Sequence, residues 1–578
     1  KVLVQIENMD GNAMMVTFVP GAHLSAGRLS TSRGRSVVCQ ALRSERIEAA
    51  SERLNRLKRG DFEKSQIVKT PDGLVEVSEE LRAKQAAFKS AEERKTYDPA
   101  KSQEYFRDKR MQLWRRRIEV AGPLLAFVSS VVLDWQQGKE LERRPIRAKE
   151  FEQLIARFGP AYIKAGQALS SRPDLLPPEY LVELQKLQDR LPPFDNDQAF
   201  ELIESELGAK LSDIFETLDP EPVAAASIGQ VYKAYLKTGE AVAVKVQRPN
   251  CEEIIQMDIF ILRRLSGAVN EALRVINKDF DLALIVDEFG KLIYDEIDYL
   301  NEARNAERFK ELYGNLDNVI VPRVYWKYTS SKILTTEWID GVRLESNSLG
   351  DERSNLVRTL TQCSLRQMLE NGYFHADPHG GNLLATPDGN LCYLDFGMMS
   401  SLTREQSYGI ILAIVNLVNR DWEELVELYK KLGMLAPESD SVPIVAALND
   451  AMPNVLTASV AEFNFKSVIN KLGYIFYQFE FTLPPYYTAI LRCLGVLEGV
   501  CIQVDPNYKI LNEAYPFVAS RLLTDRSDEL QDALEKLLTT KEGDLVPGRW
   551  SGLVDAASRM SGEDIGHAMQ AFSEFLLT

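Results

Sequence analysis

Four histidines and six cysteines are few soft ligands or thiols for a chain of 578 residues. The cysteines stand at 39, 251, 363, 392, 493 and 501, without a CxxC pair or an even ladder, so neither a zinc ribbon nor a disulfide scaffold is expected and free thiols are. Basic residues are not in excess either: 68 Lys and Arg face 84 Asp and Glu, which leaves no overall positive field to grip a nucleic-acid backbone. Apolar runs are short, and none reaches the roughly 18 to 20 residues that span a bilayer. The best, VAGPLLAFVSSVVL from Val120 to Leu133, carries Pro123 and reads as a buried helix, with a helix lying on a membrane or lipid surface as the alternative. Acidic residues are missing from Gly11 to Ser44, where Arg28, Arg33, Arg35 and Arg43 mix with Ser and Thr. That is the composition of an organelle transit peptide, and a disordered basic tail is the other reading.

What is present is ordinary for a globular protein: 45% hydrophobic and 26% charged residues, in a length that predicts two to four domains or sub-lobes. Residues 45–99 are charged and poor in aromatics and read as linker or exposed helix. Residues 100–217 read as a helical extension. Phe151, Leu154, Ile155 and Phe158 share one helical face, Gly159 and Pro160 interrupt it, and Leu181, Leu184, Leu187 and Leu191 mark a further helix. Asp195 with Gln198 forms a capping signal for a helix ending at Gly208. The period then becomes two, predicting strands at Ala224–Ile228, Val231–Leu236 and Ala241–Gln247. One long helix from about Asp287 to Tyr313 follows, then strands near Ile320–Tyr325 and Ile333–Trp338. Residues 342–578 read as helical apart from a hairpin over Leu383–Leu394, turning at Pro387, Asp388 and Gly389. A small sheet with one long helix over 218–341, followed by a helical half, is an α+β, two-lobed protein-kinase-like fold with an N-terminal helical extension.

The chemistry agrees with that order. His375, Asp377 and Asn382 stand as His, any residue, Asp, and an Asn five positions later; Asp395-Phe396-Gly397 follows across the predicted hairpin. In phosphoryl transfer one carboxylate orients the attacking hydroxyl or water, while an amide oxygen and a second carboxylate hold magnesium against the phosphates. Asp377, Asn382 and Asp395 fit those three roles. A competing arrangement, His375, Asp377 and His379 as a hydrolytic zinc cluster, leaves Asn382 and Asp395 unexplained. Upstream, Lys245 on the third strand fits a phosphate-contacting lysine, with Glu296, Asp298 and Glu302 as candidate partners on the long helix. Asp298 and Glu302, four apart, share a face there, whereas Glu296 points elsewhere unless the helix bends. Where an ordinary kinase has a glycine-rich loop, this chain has Ala224-Ala225-Ala226-Ser227-Ile228-Gly229-Gln230-Val231, and alanines restrict the backbone.

With these residues the sequence resembles the UbiB family of atypical kinase-like proteins, also called activity of bc1 complex kinases. Its marks stand in order: Lys164-Ala165-Gly166-Gln167, the alanine-rich loop closing on Gly229-Gln230, Glu296-Ile297-Asp298 with Glu302, and His375 through Asn382 with Asp395-Phe396-Gly397. The resemblance implies that the helix bearing Lys164, Gly166 and Gln167 covers the protein-substrate position, with Lys164 held by Glu296 and Asp298, and Lys245 paired with Glu302. It implies ATP and Mg²⁺ as cofactors, Asp377, Lys245 and Glu302 as catalytic residues, Asn382 and Asp395 as metal ligands, and a nucleotide-binding set of Ala224, Ala225, Ala226, Ser227, Gly229, Lys245 and Glu337. It further implies a link to prenylquinone or lipid metabolism and a membrane or lipid-droplet surface. Leu169–Pro193 looks most like the plastid and cyanobacterial branch, hence a chloroplast plastoglobule or thylakoid, with the mitochondrion as alternative. Three departures stand out: Ala376 replaces the usual kinase arginine, no Ala-Pro-Glu follows Met398, and Gly380 sits where the family has proline.

The leading reading is an ATP-binding atypical kinase or ATPase. A small-molecule kinase of the aminoglycoside or choline type and a nucleotide-binding scaffold without chemistry are the alternatives.

Overall fold

The computed structural model describes residues 2–7, 13–18, 97–106, 109–187, 193–274, 282–344, 346, 352–451, 465–479, 481–504, 508, 510–525 and 527–538. The chain divides into two compact units, 1–65 and 66–578. In the first, β1 (Val2–Glu7) and β2 (Ala13–Phe18) pair antiparallel, an element the transit-peptide reading did not contain. The rest of that segment, and nearly all of the linker expected over 45–99, lies outside the described residues.

The second unit begins with the helical extension: α1 (Pro99–Tyr105), α2 (Arg110–Gln136), α3 (Glu140–Phe158), α4 (Pro160–Leu169), α5 (Pro178–Leu184), α6 (Asn196–Leu207) and α7 (Leu211–Ile214). Gly159, with φ of 102°, separates α3 from α4, and Pro160 opens α4 where its missing N–H costs nothing. Asp195 caps α6 by accepting from the Gln198 N–H, and Gly208 ends it in the left-handed region. α5 is shorter than its leucine spacing predicted. The larger correction concerns α2. Val120–Leu133 belongs to a 27-residue helix that runs through Pro123 and buries only Leu113, Val120 and Asp134. By length and composition it could cross a bilayer, as could a helix in the C-terminal half, Pro485–Val504. It is therefore an exposed helix, not a buried one.

The N-lobe sheet runs β3 (Phe215–Leu218), β5 (Gly229–Leu236), β6 (Ala241–Gln247), β8 (Ile333–Glu337), with β4 (Ala224–Ala225) paired to β5. Period two explains its faces. Val242, Val244 and Val246 are buried with Tyr232, Ile333 and the Ala199 and Ile203 side chains of α6, which leaves Lys245 on the opposite face. A helix the sequence pattern did not resolve follows, α8 (Cys251–Arg274), and packs on α9 (Leu282–Ile297), the first part of the expected long helix. The long helix expected over Asp287–Tyr313 is broken at Asp298, which caps α10 (Tyr299–Tyr313) by accepting from the Leu300 N–H at 3.1 Å.

The strand expected near Ile320 leaves the N-lobe sheet. β7 (Val319–Ile320) pairs parallel with β12 (Leu391–Tyr393) in a sheet ordered β7-β12-β11-β9, where β9 is Val342–Arg343 and β11 Leu383–Ala385. The predicted hairpin is β11–β12, and its Gly389 turns at φ of 78°. β10 (Tyr373–His375) pairs with β13 (Met399–Ser401), bracketing it. The C-lobe is otherwise helical: α11 (Glu352–Arg366), α12 (Arg404–Asn419), α13 (Trp422–Lys431), α14 (Ser441–Ala451), α15 (Phe465–Gln478), α16 (Pro485–Val504), α17 (Ile510–Thr524) and α18 (Asp528–Leu538). The cysteines at 251, 363, 392, 493 and 501 are free and buried.

One ion pair ties α2 to the N-lobe. Arg116 donates to both oxygens of Asp258 on α8, at 2.8 and 3.0 Å, and to the Phe158 carbonyl at 2.5 Å; the Asp258 side chain has no exposed surface. Removing one member of a buried pair strands the other charge. Asp258→Ala is expected to cost about 3 kcal/mol in urea unfolding, and Arg116→Met combined with Asp258→Leu should restore a large part of it.

Candidate functional site

The break at Asp298 turns the chain so that carboxylates before and after it serve different cations. Glu296, at the end of α9, lies 2.5 Å from the Nζ of Lys164 on α4. Glu302, in the first turn of α10, receives the Lys245 ammonium on both oxygens, at 2.7 and 2.8 Å. Asp298 stays at the break itself, capping α10, with Arg304 at 4.0 Å. Lys245 also reaches Asp395 at 3.1 Å and lies over the Tyr299 ring. One ammonium thus sits between two carboxylates, leaving a net negative charge in the cleft.

The electrostatics follow from that sharing. Burial works against the Lys245 charge, but the Asp395 and Glu302 carboxylates outweigh it and hold the ammonium well above its ordinary range. Burial, and then the charge of Asp395, push Glu302 up to about 7. Asp395 is buried too, yet Lys245 and the Gly397 N–H, which it accepts at 2.9 Å, hold it below the usual carboxylate range. The two acids therefore divide their roles by environment.

His375 organises the loop rather than binding metal. Its Nδ1 accepts the Asp377 N–H at 3.1 Å and its Nε2 lies 2.7 Å from the Asp395 carbonyl, so both ring nitrogens are spent on backbone. Burial holds the ring below its ordinary range, neutral with the proton on Nε2. This disposes of the His375, Asp377, His379 zinc arrangement, and His379 Nδ1 is engaged by the Gly381 N–H. The hairpin then does what its position suggested: the Leu394 N–H donates to the Asn382 carbonyl at 3.0 Å, bringing Asn382 beside Asp395. Among the described residues, the side chains of Asp377 and Asn382 make no hydrogen bond or ion pair to a protein group, although the charge of Asp377 is felt by His375 and Cys493. Phe396 is buried against Phe309 of α10, and its carbonyl accepts from Asn305.

The alanine-rich loop is a tight turn, with the Ala226 N–H donating to the Gly229 carbonyl at 2.8 Å. Ser227 is buried beside it. A Cβ at Gly229 would collide with the Tyr299 hydroxyl and come within 2.6 Å of the Val246 carbonyl, so only glycine fits there. Gln230 belongs to the scaffold, exchanging hydrogen bonds with the Phe194 backbone ahead of α6. Glu337 lines the far edge of the same cleft and accepts the Arg323 N–H. Over the cleft, Gly166 lets α4 press close: a Cβ there would meet Leu187, Ile155 at 2.9 Å and Leu184 at 3.4 Å. Gln167 donates to the Leu187 carbonyl at 3.3 Å.

Two residues escaped the sequence reading. Tyr299 is wholly buried, lines the cleft, and has a hydroxyl without a hydrogen-bond partner among the described residues. Arg492 of α16 donates to Ser171 Oγ and the Gln167 carbonyl, both at 3.1 Å, and reaches Met398 Sδ at 3.6 Å. Nothing in the spacing of an apolar helix separated by about 100 residues from Asp395 pointed there.

Chemically, the cleft suits an anion bound with a divalent cation. The Lys245 ammonium suits a phosphate, and Asp395 and Asn382 supply two hard oxygen ligands. Mg²⁺ accepts such a small protein set because it keeps water and substrate oxygens. Among the described residues no group of three His, Cys, Asp or Glu could hold a metal alone.

A profile of the ABC1 atypical kinase-like domain matches residues 186–429. An uncharacterized protein of Synechocystis is 46% identical over 486 residues, which cover 83% of this chain and 71% of that protein. From Arabidopsis thaliana, the chloroplastic protein Activity of bc1 complex kinase 3 is 43% identical over 508 residues, covering 87% of this chain and 71% of the relative. The chloroplastic Activity of bc1 complex kinase 1 is 40% identical over 433 residues, covering 74% and 63%.

The raised acid at position 302 has a consequence for stability. Folding takes up a proton on Glu302 between its ordinary range and about pH 7. Its contribution is therefore complete below about pH 4.5 and is lost as the pH rises through 7. In urea unfolding of the wild type and Glu302→Gln, the stability of the wild type relative to the variant should fall steadily from pH 5 to pH 8. A difference that stays flat over that range contradicts the assignment.

Proposed function

Because the chain belongs to the ABC1 atypical kinase-like family, we propose that it is a magnesium-dependent ATPase or phosphotransferase of the chloroplast, acting in prenylquinone or other lipid metabolism. The observation that carries this is the Lys245 ammonium shared by Glu302 and Asp395, opposite the side chains of Asp377 and Asn382. In this reading Lys245 receives the phosphates of ATP, the loop from Ala224 to Gly229 covers them, and Glu337 marks the adenine end. Asn382 and Asp395 hold Mg²⁺, which when bound offsets the charge of the phosphate oxygens. Asp377 takes the proton of the acceptor hydroxyl or water as its oxygen bonds to the γ-phosphorus and the bond to the ADP oxygen breaks.

A folded protein is the less favoured acceptor. α4 lies over the cleft, pinned by Lys164–Glu296 on one side and by Arg492 on the other, and the segment after Met398 lacks the usual peptide platform. The chloroplastic Arabidopsis relatives support the compartment. For a lipid surface, plastoglobule or thylakoid, the support is α2. It exposes Met111 by 82%, Trp114 by 63%, Ile118 by 55%, Leu125 by 64% and Trp135 by 56%, with Arg110 and Arg115 beside its first turns. An apolar face with basic residues at one end is how a helix lies in an anionic interface.

Two measurements test this. Asp395→Asn should lower magnesium-dependent ATP turnover by about two orders of magnitude or more, since a phosphate-site charge of this kind is worth several kcal/mol in the transition state; equal turnover leaves only a nucleotide-binding scaffold, and label on a soluble small molecule favours the aminoglycoside or choline type. Trp114→Glu with Leu125→Glu should abolish flotation of the protein with anionic-lipid vesicles, and undiminished flotation would show that α2 is not the contact.

A further inference from the structure

The cleft containing Lys245, Asp377 and Asp395 has a volume of about 1280 Å³. Single small-molecule sites occupy roughly 300 to 1,000 Å³, so the space exceeds what one nucleotide needs. Its lining shows where the excess lies. Besides the residues of the phosphate site, the cavity is lined by Leu181 and Leu184 of α5 and by Leu491, Val496 and Ile502 of α16. None of these five contributes to the phosphate site.

The glycines of α16 point the same way. Gly495 and Gly499, one helical turn apart, are exposed at the open side of the cavity they line, and a Cβ built on either meets nothing within 4 Å. Gly166 is glycine because its neighbours leave no room, and these two are not under that constraint. A side chain at either position would project into the open space that the cavity shares with solvent. The lining here is mixed: Gln167, Ser170, Ser171 and Gln185 on the α4–α5 side and Arg492 and Glu498 of α16 stand among the apolar residues, a set of orienting groups around an apolar surface. The walls are helices, whose main-chain groups are already bonded, so an extended peptide would find few backbone partners there.

We propose that this compartment is the acceptor site and that it takes an elongated apolar molecule bearing a terminal hydroxyl, with the chain between α5 and α16 and the hydroxyl at Asp377. The role of the hydroxyl rests on the phosphoryl-transfer reading above; occupancy of the compartment does not. Water confined between such walls gives up free energy when an apolar chain replaces it, which supplies the affinity. Arg492 tethers the end of α4 beside this compartment through the Gln167 carbonyl and Ser171 Oγ.

Tritiated geranylgeraniol is the probe, measured by equilibrium binding to the full chain without nucleotide. The wild type should bind it saturably, and Gly495→Leu and Gly499→Leu should each weaken binding by about tenfold or more, as bulk placed in an apolar pocket does. Circular dichroism and thermal melting establish that the variants fold, and Gly495→Ala, a smaller filling, should give an intermediate loss if the leucine proteins do not. Absence of saturable binding, or equal affinity in the wild type and the filled variants, overturns the proposal. Transfer of label from ATP to the bound alcohol is scored separately. Binding without transfer removes the phosphotransfer reading and keeps the compartment; transfer at the wild-type rate in the filled variants removes the compartment and keeps phosphotransfer.

Discussion

One ammonium shared by two carboxylates fixes most of what surrounds it. Lys245 must leave the apolar face of β6, Glu302 must come from the first turn of α10, and Asp395 must be returned by the β11–β12 hairpin. Each of those requirements has its own local device. The alternation of β6 sends three valines into the core against α6, the Asp298 cap breaks a helix that would otherwise aim Glu302 and Glu296 apart, and His375 fastens the loop to the Asp395 carbonyl. A charge imbalance of this kind is costly in a buried cleft. A divalent cation at Asp395 would offset that imbalance and make room for the charge of a phosphate on Lys245.

The second constraint is the cover. α4 touches both halves of the kinase-like unit: Lys164 reaches Glu296, and Arg492 holds the Gln167 carbonyl and Ser171. Gly166 makes the close approach possible, and its neighbours Leu184 and Leu187 belong to the wall of the apolar part of the cavity. The feature that narrows access for a folded substrate is thus also the wall of a slot suited to a thin apolar one.

The sequence was most readable where chemistry needs fixed spacing. His375, Asp377, Asn382 and Asp395 come together through a hairpin whose turn residues announce it, and Lys245 meets Glu302 as a strand and a helix allow. It was least readable where tertiary packing decides. The break at Asp298 is a cap inside a continuous helical pattern, since Asp is only mildly unfavourable in a helix and no glycine or proline marks the stop. α8 lies in a segment whose apolar spacing carried no motif. β7 leaves its expected sheet because its partner, β12, is some 70 residues away in the chain. Val120–Leu133 was read as core because an apolar run normally is, and only the three-dimensional packing reveals which of its faces is covered.

The most direct test of the account is the dependence of ATP affinity on magnesium, measured by isothermal titration of the full chain with and without the ion. If Asn382 and Asp395 hold Mg²⁺ against phosphates seated on Lys245, ATP should bind with micromolar or better affinity in its presence and far more weakly in a chelator. Equally tight binding in both conditions would contradict the roles given to those residues, and with them the phosphoryl chemistry.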